Sequence, residues 1–177
     1  AAAFSRWALL DAHAGLGAGI IFSWLGSDAN AGQDSFIVDL IGAAAVLTLL
    51  HVTDGSSAIQ IKATGDLVNT AASGVAAVSG GNLVLEAATG GIGSLDKFML
   101  VDVADGKTLT LRGTQDQYVE EKSGDINLSS AYSKSGRVVL VADGSILDAL
   151  HNDSEDIVAN GASLIANSGT IGTLTNS

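Results

Sequence analysis

The residues in this chain best suited to chemistry are its acids. Asn152-Asp153-Ser154-Glu155-Asp156 places Asp153, Glu155 and Asp156 within one short turn. Oxygen ligands converging from one loop are what a hard divalent cation such as calcium takes, so these three are the candidate metal ligands. The plainer role for the same run is a solvated, charged turn. Glu120 and Glu121 adjoin Asp125, and Asp102 lies near Asp105. Paired carboxylates on one face serve as acid and base in polysaccharide-degrading enzymes. Enzymes acting on uronates also need Lys or Arg, and this chain has 8 basic residues against 19 acidic ones. His13, His51 and His151 are scattered and form no set. There is no G-x-S-x-G elbow, no G-x-G-x-x-G and no Walker loop. No catalytic residue and no resident cofactor is therefore expected, with calcium the one ion the acidic turn would take. Trp7, Trp24, Tyr118 and Tyr132 would suit contact with surface glycans if exposed. The threonines of 107–114 and 169–176 do not recur as ranks, which argues against ice binding.

A net charge of −11 repels phosphate backbones, so nucleic-acid partners are not expected. Anionic membrane surfaces are disfavoured for the same reason. No stretch reaches the roughly 18 apolar residues of a membrane helix. Cysteine is absent, which removes disulfides and thiolate metal sites. Hydrophobic residues make up 47%, yet aromatics only 5%, so the core must be built from Ala, Val, Ile and Leu. The opening AAAFSRWALL carries one Arg and no initiator Met, and reads as a processed or excised beginning.

What positions these residues is a repeat. IQIKATGDLVNTA (59–71) and VVLVADGSILDAL (138–150) keep the same apolar, alanine and glycine places, offset by 79 residues. The register holds without a gap from about 39–98 to 118–177. Leu47 falls on Ile126, Gly65 on Gly144, Leu85 on Leu164, and Ile92 on Ile171. Fixed-period self-similarity is the mark of stacked architectures. Short alternating runs, LTL at 47, IQI at 59, LVL at 83, LTL at 109, INL at 126 and VVL at 138, are flanked by Gly, Asp, Asn or Ser. That is the pattern of strands and turns. Hairpin signals are nearly absent and the core is poor in aromatics. An all-β parallel β-helix (β-solenoid) is therefore expected over 36–177, with coils of roughly 26 or roughly 20 residues. Residues 1–35 fit the scheme poorly and are expected to form a cap, partly helical, or an irregular first coil.

The phrases SGDINLSSAYSKSGRVVLVADGSILDA (123–149) and DIVANGASLIANSGTIGTLTN (156–176) resemble repeats of giant bacterial exoproteins of the filamentous-haemagglutinin-like kind. Such repeats run from a Gly-Asp strand to an apolar strand ending in Ala-x-Gly-Ser-Ile, then close on Ala-x-Leu-x-Ala and Gly-x-Ile-Gly. The resemblance covers about 39–177. It implies a right-handed parallel β-helix, secretion to the bacterial cell surface, and a structural or adhesive role. It carries over no catalytic residue. The alternatives are a cation- or carbohydrate-binding β-helix module and, last, a polysaccharide-degrading enzyme. The chain closes mid-phrase at GTLTNS, so the expected partner is a second copy stacked end to end or the continuation of a longer rod, as in a filament.

Overall fold

A computed structural model describes the backbone of residues 7–13, 19–25, 35–41, 46–53 and 58–172, and side chains from 58 to 172. The described residues form strands joined by turns, with no helix. In chain order the strands are β1 (Trp7–His13), β2 (Gly19–Leu25), β3 (Ser35–Ile41), β4 (Val46–Thr53), β5 (Ala58–Ala63), β6 (Leu67–Asn69), β7 (Val78–Gly80) and β8 (Leu83–Ala87). They continue as β9 (Met99–Val103), β10 (Thr108–Gly113), β11 (Gln117–Glu121), β12 (Ile126–Ser133), β13 (Arg137–Ala142), β14 (Ile146–Asp148), β15 (Ile157–Val158) and β16 (Gly161–Ala166). All six runs picked out by alternation lie in strands.

From β3 onward the chain alternates between two sheets, and every pairing is parallel. One sheet stacks β4, β7, β9, β11, β13 and β16; the other stacks β3, β5, β8, β10, β12 and β14. This is a parallel β-solenoid. Inward side chains form columns one residue wide. Ile61, Leu85, Leu111 and Ala131 stack in the second sheet, and Met99, Val119, Leu140 and Leu164 in the first. The inner members are fully buried, which is why small and branched aliphatics replace aromatics here.

Residues 1–35 differ from the helical option. β1 pairs antiparallel with β4, and β2 antiparallel with β3. Trp7–His13 and Gly19–Leu25 are rich in aromatic and β-branched residues, which suit strands. They cover the N-terminal edges of both sheets, with the chain running in the opposite sense. The segment 26–34 between β2 and β3 is too long for a two-residue hairpin signal.

The repeat has a geometry that equal stacked coils would not have. Leu47↔Leu67 and Val52↔Val78 in the first copy match Ile126↔Ile146 and Ala131↔Ile157 in the second. Ile59↔Leu83 likewise matches Val138↔Ala162. Pairings are kept, but the sheet is exchanged: β4 lies in the first sheet and its counterpart β12 in the second. Seven sheet-to-sheet steps separate them, so the 79-residue shift advances three and a half coils. Coil lengths vary, from 19 residues for Leu109↔Leu128 to 26 for Leu83↔Leu109, so neither uniform length holds.

The corners follow one rule. The residue just before an inward apolar position accepts a hydrogen bond from the N–H of its equivalent one coil on. Asp66 Oδ1 accepts from Gly91 N (2.8 Å), Asn82 Oδ1 from Thr108 N (3.0 Å), Asp116 Oδ1 from Arg137 N (2.9 Å), and Asp125 Oδ1 from Ser145 N (2.6 Å). Ser145 Oγ in turn accepts from Thr170 N (3.1 Å). A corner N–H that leaves the ladder must be paired elsewhere, and a short Asp, Asn or Ser reaches it. The glycine of Gly144-Ser145-Ile146 exists to let that acceptor in, because a Cβ on Gly144 would overlap Asp125 Oδ1 and the Gly124 backbone.

Gly144→Ala is expected to lower unfolding free energy by roughly 1–3 kcal/mol, as overpacking does. Gly161→Ala, whose Cβ would meet nothing within 4 Å, is expected to change it by less than about 0.5 kcal/mol. Urea titration of both variants checks the contrast.

Candidate functional site

Side loops leave the ladder at equivalent points of the two copies. In the first copy, residues 70–77 and 93–98 leave the first sheet in successive coils. In the second, 149–156 leaves the second sheet. Each copy launches its loop from the same residue. Asn69 Oδ1 accepts from Ala71 N (2.9 Å), and Asp148 Oδ1, 79 residues on, accepts from Leu150 N (2.7 Å) and His151 N (2.9 Å). These turns are local competitors of the ladder, available to Asn and Asp.

Beyond that shared launch the loops diverge. The first-copy pair is neutral on its first loop and strapped: Asn69 Nδ2 donates to Phe98 O (2.7 Å) and Lys97 Nζ to Ala71 O (2.7 Å). Phe98 packs against Tyr118, ring centroids 5.5 Å apart. The second-copy loop holds Asp153, Glu155 and Asp156, but they do not gather as a site. Among the described residues no three His, Asp or Glu side chains are grouped to hold a metal ion. Asn152 Oδ1 accepts from Ser154 N (2.7 Å), and the Asp156 carbonyl accepts from Ala131 N (2.7 Å), so backbone bonds set this turn. Burial, followed by the charge of Asp148, holds the Asp156 carboxyl above the usual carboxylate range. His151 is exposed and sits at φ 50° in the turn; the side chains of His13 and His51 lie outside the described residues.

The acid pairs weighed for catalysis are separated by strand alternation. Glu120 lies on the outer side of β11, while Glu121 is buried on the inner side. Asp102 accepts from Ser123 Oγ (3.1 Å) and lies 3.9 Å from Lys122 Nζ. Asp125 is used at its corner and Asp105 lies at the β9–β10 corner. Adjacent residues on a strand face opposite ways, so sequence neighbours are not spatial partners here.

The aromatic candidates also part company. Tyr118 is buried and donates to Asp116 Oδ2 (3.2 Å). Tyr132 is 46% exposed on the outer side of the second sheet. It lies in register with Arg112, which is in register with Glu86, which pairs with Lys62 at 3.0 Å. The side chains of Trp7 and Trp24 lie outside the described residues. Thr108 and Thr110 stand beside Asn127 and Ser130, so they form no threonine rank.

Sequence reasoning missed the polar groups inside the solenoid. Gln117, Glu121 and Ser133 are buried, and all three fall between residues 117 and 133. Gln117 replaces an aliphatic in the column Leu67, Ile92, Gln117, Val138. Its Nε2 donates to Tyr132 O (2.6 Å), while its Oε1 is buried without a partner. Ser133 Oγ donates to Gln115 O (2.7 Å) and accepts from Gly136 N (3.0 Å). Their places at inward positions of the alternation are the signal that would have found them.

Asp156 has a folded pKa above its unfolded value, so folding favours its protonated form. Its contribution to stability is therefore lost as pH rises above the ordinary carboxylate range. Asp156→Asn is expected to raise the melting temperature at pH 7 and to leave it unchanged at pH 3. Calcium addition and chelation are expected to leave the wild-type melting temperature unchanged. Scanning calorimetry at both pH values checks all three.

Comparison with protein-family models, with curated proteins and with solved structures returns no match for this chain.

Proposed function

We propose that this chain is a structural and adhesive segment of a large bacterial surface protein, secreted and displayed outside the cell, of the filamentous-haemagglutinin-like kind its repeats resemble. The observation that supports this is the unbroken parallel stacking of two sheets from β3 to β16, closed at its corners by side-chain acceptors. Such a stack resists bending because each coil is bonded to the next, and it leaves its turns free to vary. The loops at 70–77 and 149–156 show that freedom, since one pairing frame carries neutral residues in one copy and acids in the other.

The C-terminal end of the solenoid is, in this proposal, a stacking surface for another coil. Among the described residues β16 pairs only with β13. Leu85 is fully buried, whereas its counterpart Leu164 is half-buried, and Ile165 and Ile171 are exposed. No residue from 157 to 177 is charged. Exposed edge strands are ordinarily protected by charge or proline, and this one has neither. Contact with surface glycans is a second reading, supported by the exposed Tyr132 beside Arg112.

Two measurements test the proposal separately. Antibody raised against residues 58–172 is expected to label intact cells of the source bacterium; labelling only after lysis would overturn the surface role. Sedimentation velocity on the 177-residue chain is expected to show concentration-dependent association that Ala162→Asp abolishes. A wild-type chain that remains monomeric would overturn self-stacking and leave the surface role to the first test.

A further inference from the structure

The corner between β11 and β12 is built differently from the others. Alternate residues of a parallel strand bond the same neighbour, so Val101 and Val103 both face the coil that follows. Val101 is served by the ladder, its carbonyl accepting from Lys122 N (2.8 Å). Two residues on, the following coil has already left the strand, because β11 ends at Glu121. This is where the coils are shortest: Val101↔Glu121 spans 20 residues and Leu109↔Leu128 19, against 23 for Val78↔Val101 one coil earlier. No backbone carbonyl meets the Val103 N–H. The Glu121 carboxylate does, with Oε1 and Oε2 each 3.1 Å from it. Glu121 is 1% exposed and occupies an inward position in the column Val78, Val101, Glu121.

We infer that Glu121 is a proton-dependent latch, its neutral carboxyl group holding the short corner closed and its ionised form letting that corner open. The neutral form still offers a carbonyl oxygen to Val103 N–H. The ionised form places a full charge in an aliphatic column with only backbone N–H groups to meet it. The charged neighbours do not relieve it. From β9, Asp102 is a like charge. From β11 itself, Lys122 stands by Asp102, and Glu120 faces outward. From β13, Val141 and Ala142 approach without charge, and Arg137, at the far end of that strand, is near Asp116. Asp105 and Lys107 lie in the β9–β10 corner, and Asp125 is engaged by Ser145 N.

Burial pushes the Glu121 carboxyl up to about 8, and Asp102 adds to the rise against the backbone N–H groups of Val103, Ser123 and Lys122. The folded corner therefore holds a proton that the open or unfolded chain releases near 4.5. Latch stability is complete below that lower value. It declines as pH rises between the two, and above the upper value no further decline comes from this group.

Amide hydrogen exchange at Val103, corrected for intrinsic rates, reads the latch directly. From pH 6 to pH 9 its protection in the wild type is expected to fall by at least about tenfold, while in Glu121→Gln it stays level. Glutamine keeps the accepting oxygen and cannot ionise. The carbon-13 titration of the Glu121 carboxyl in the wild type gives a second measurement that needs no variant, and its midpoint is expected well above 6. Parallel pH dependence of Val103 protection in both proteins, or a titration midpoint in the ordinary carboxylate range, would overturn the inference.

Discussion

Everything in this solenoid depends on keeping backbone hydrogen bonds paired where the chain turns. Within a sheet the ladder satisfies each N–H without help from any side chain. At a corner the chain must rotate away, and the N–H of the residue before the next inward position points along the stack at nothing. A buried or half-buried N–H without a partner costs about as much as a lost hydrogen bond. The chain meets this with a short side-chain acceptor one coil back, from Asp66, Asn82, Asp116, Asp125 or Ser145. These residues are not decoration on a hydrophobic stack. They set where each coil turns, and so which residues reach the core.

That constraint explains why the repeat survives an exchange of sheets. The two sheets present the same problem to the chain: an inward apolar column, an alternating outer face and a corner. A segment that solves it on one sheet solves it equally on the other. Selection for pairing and cornering therefore preserves the order of strands, loops and acceptors but not the face on which they fall. One consequence is that loops launched by Asn69 and Asp148 leave from different sheets, although their launching bonds are equivalent.

This also explains how far the sequence could be read. Strand positions were legible because alternation and the glycine-acceptor-apolar phrase both mark them, and Gly65-Asp66-Leu67 and Gly144-Ser145-Ile146 each announce a corner. The half-coil offset was not legible, since a repeat shows that segments are equivalent without showing how many sheet crossings lie between them. The cap was hidden because an antiparallel strand has the same alternation as a parallel one. The acids were misplaced for a simpler reason. Proximity in sequence suggested pairing, whereas in a strand it enforces separation, as Glu120 and Glu121 show on opposite sides of β11.

The coil at 117–133 shows the cost of departing from regular length. Losing a few residues relative to its neighbours removes backbone that would have completed the ladder. Buried Gln117 and Glu121 supply groups at the places the backbone no longer reaches: an amide donor to Tyr132 O and an acceptor for Val103 N–H. An aliphatic at either position would fill space but leave a buried main-chain group unpaired. A polar side chain pairs it and brings its own burden, an orphan oxygen on Gln117 and an ionisable one on Glu121. The short coil is thus the point in the described stack where packing and hydrogen bonding cannot both be met by aliphatic residues alone. It follows that the sensitivity of this rod to its surroundings is concentrated in its interior, at one coil, while the outer faces and loops remain free to diverge.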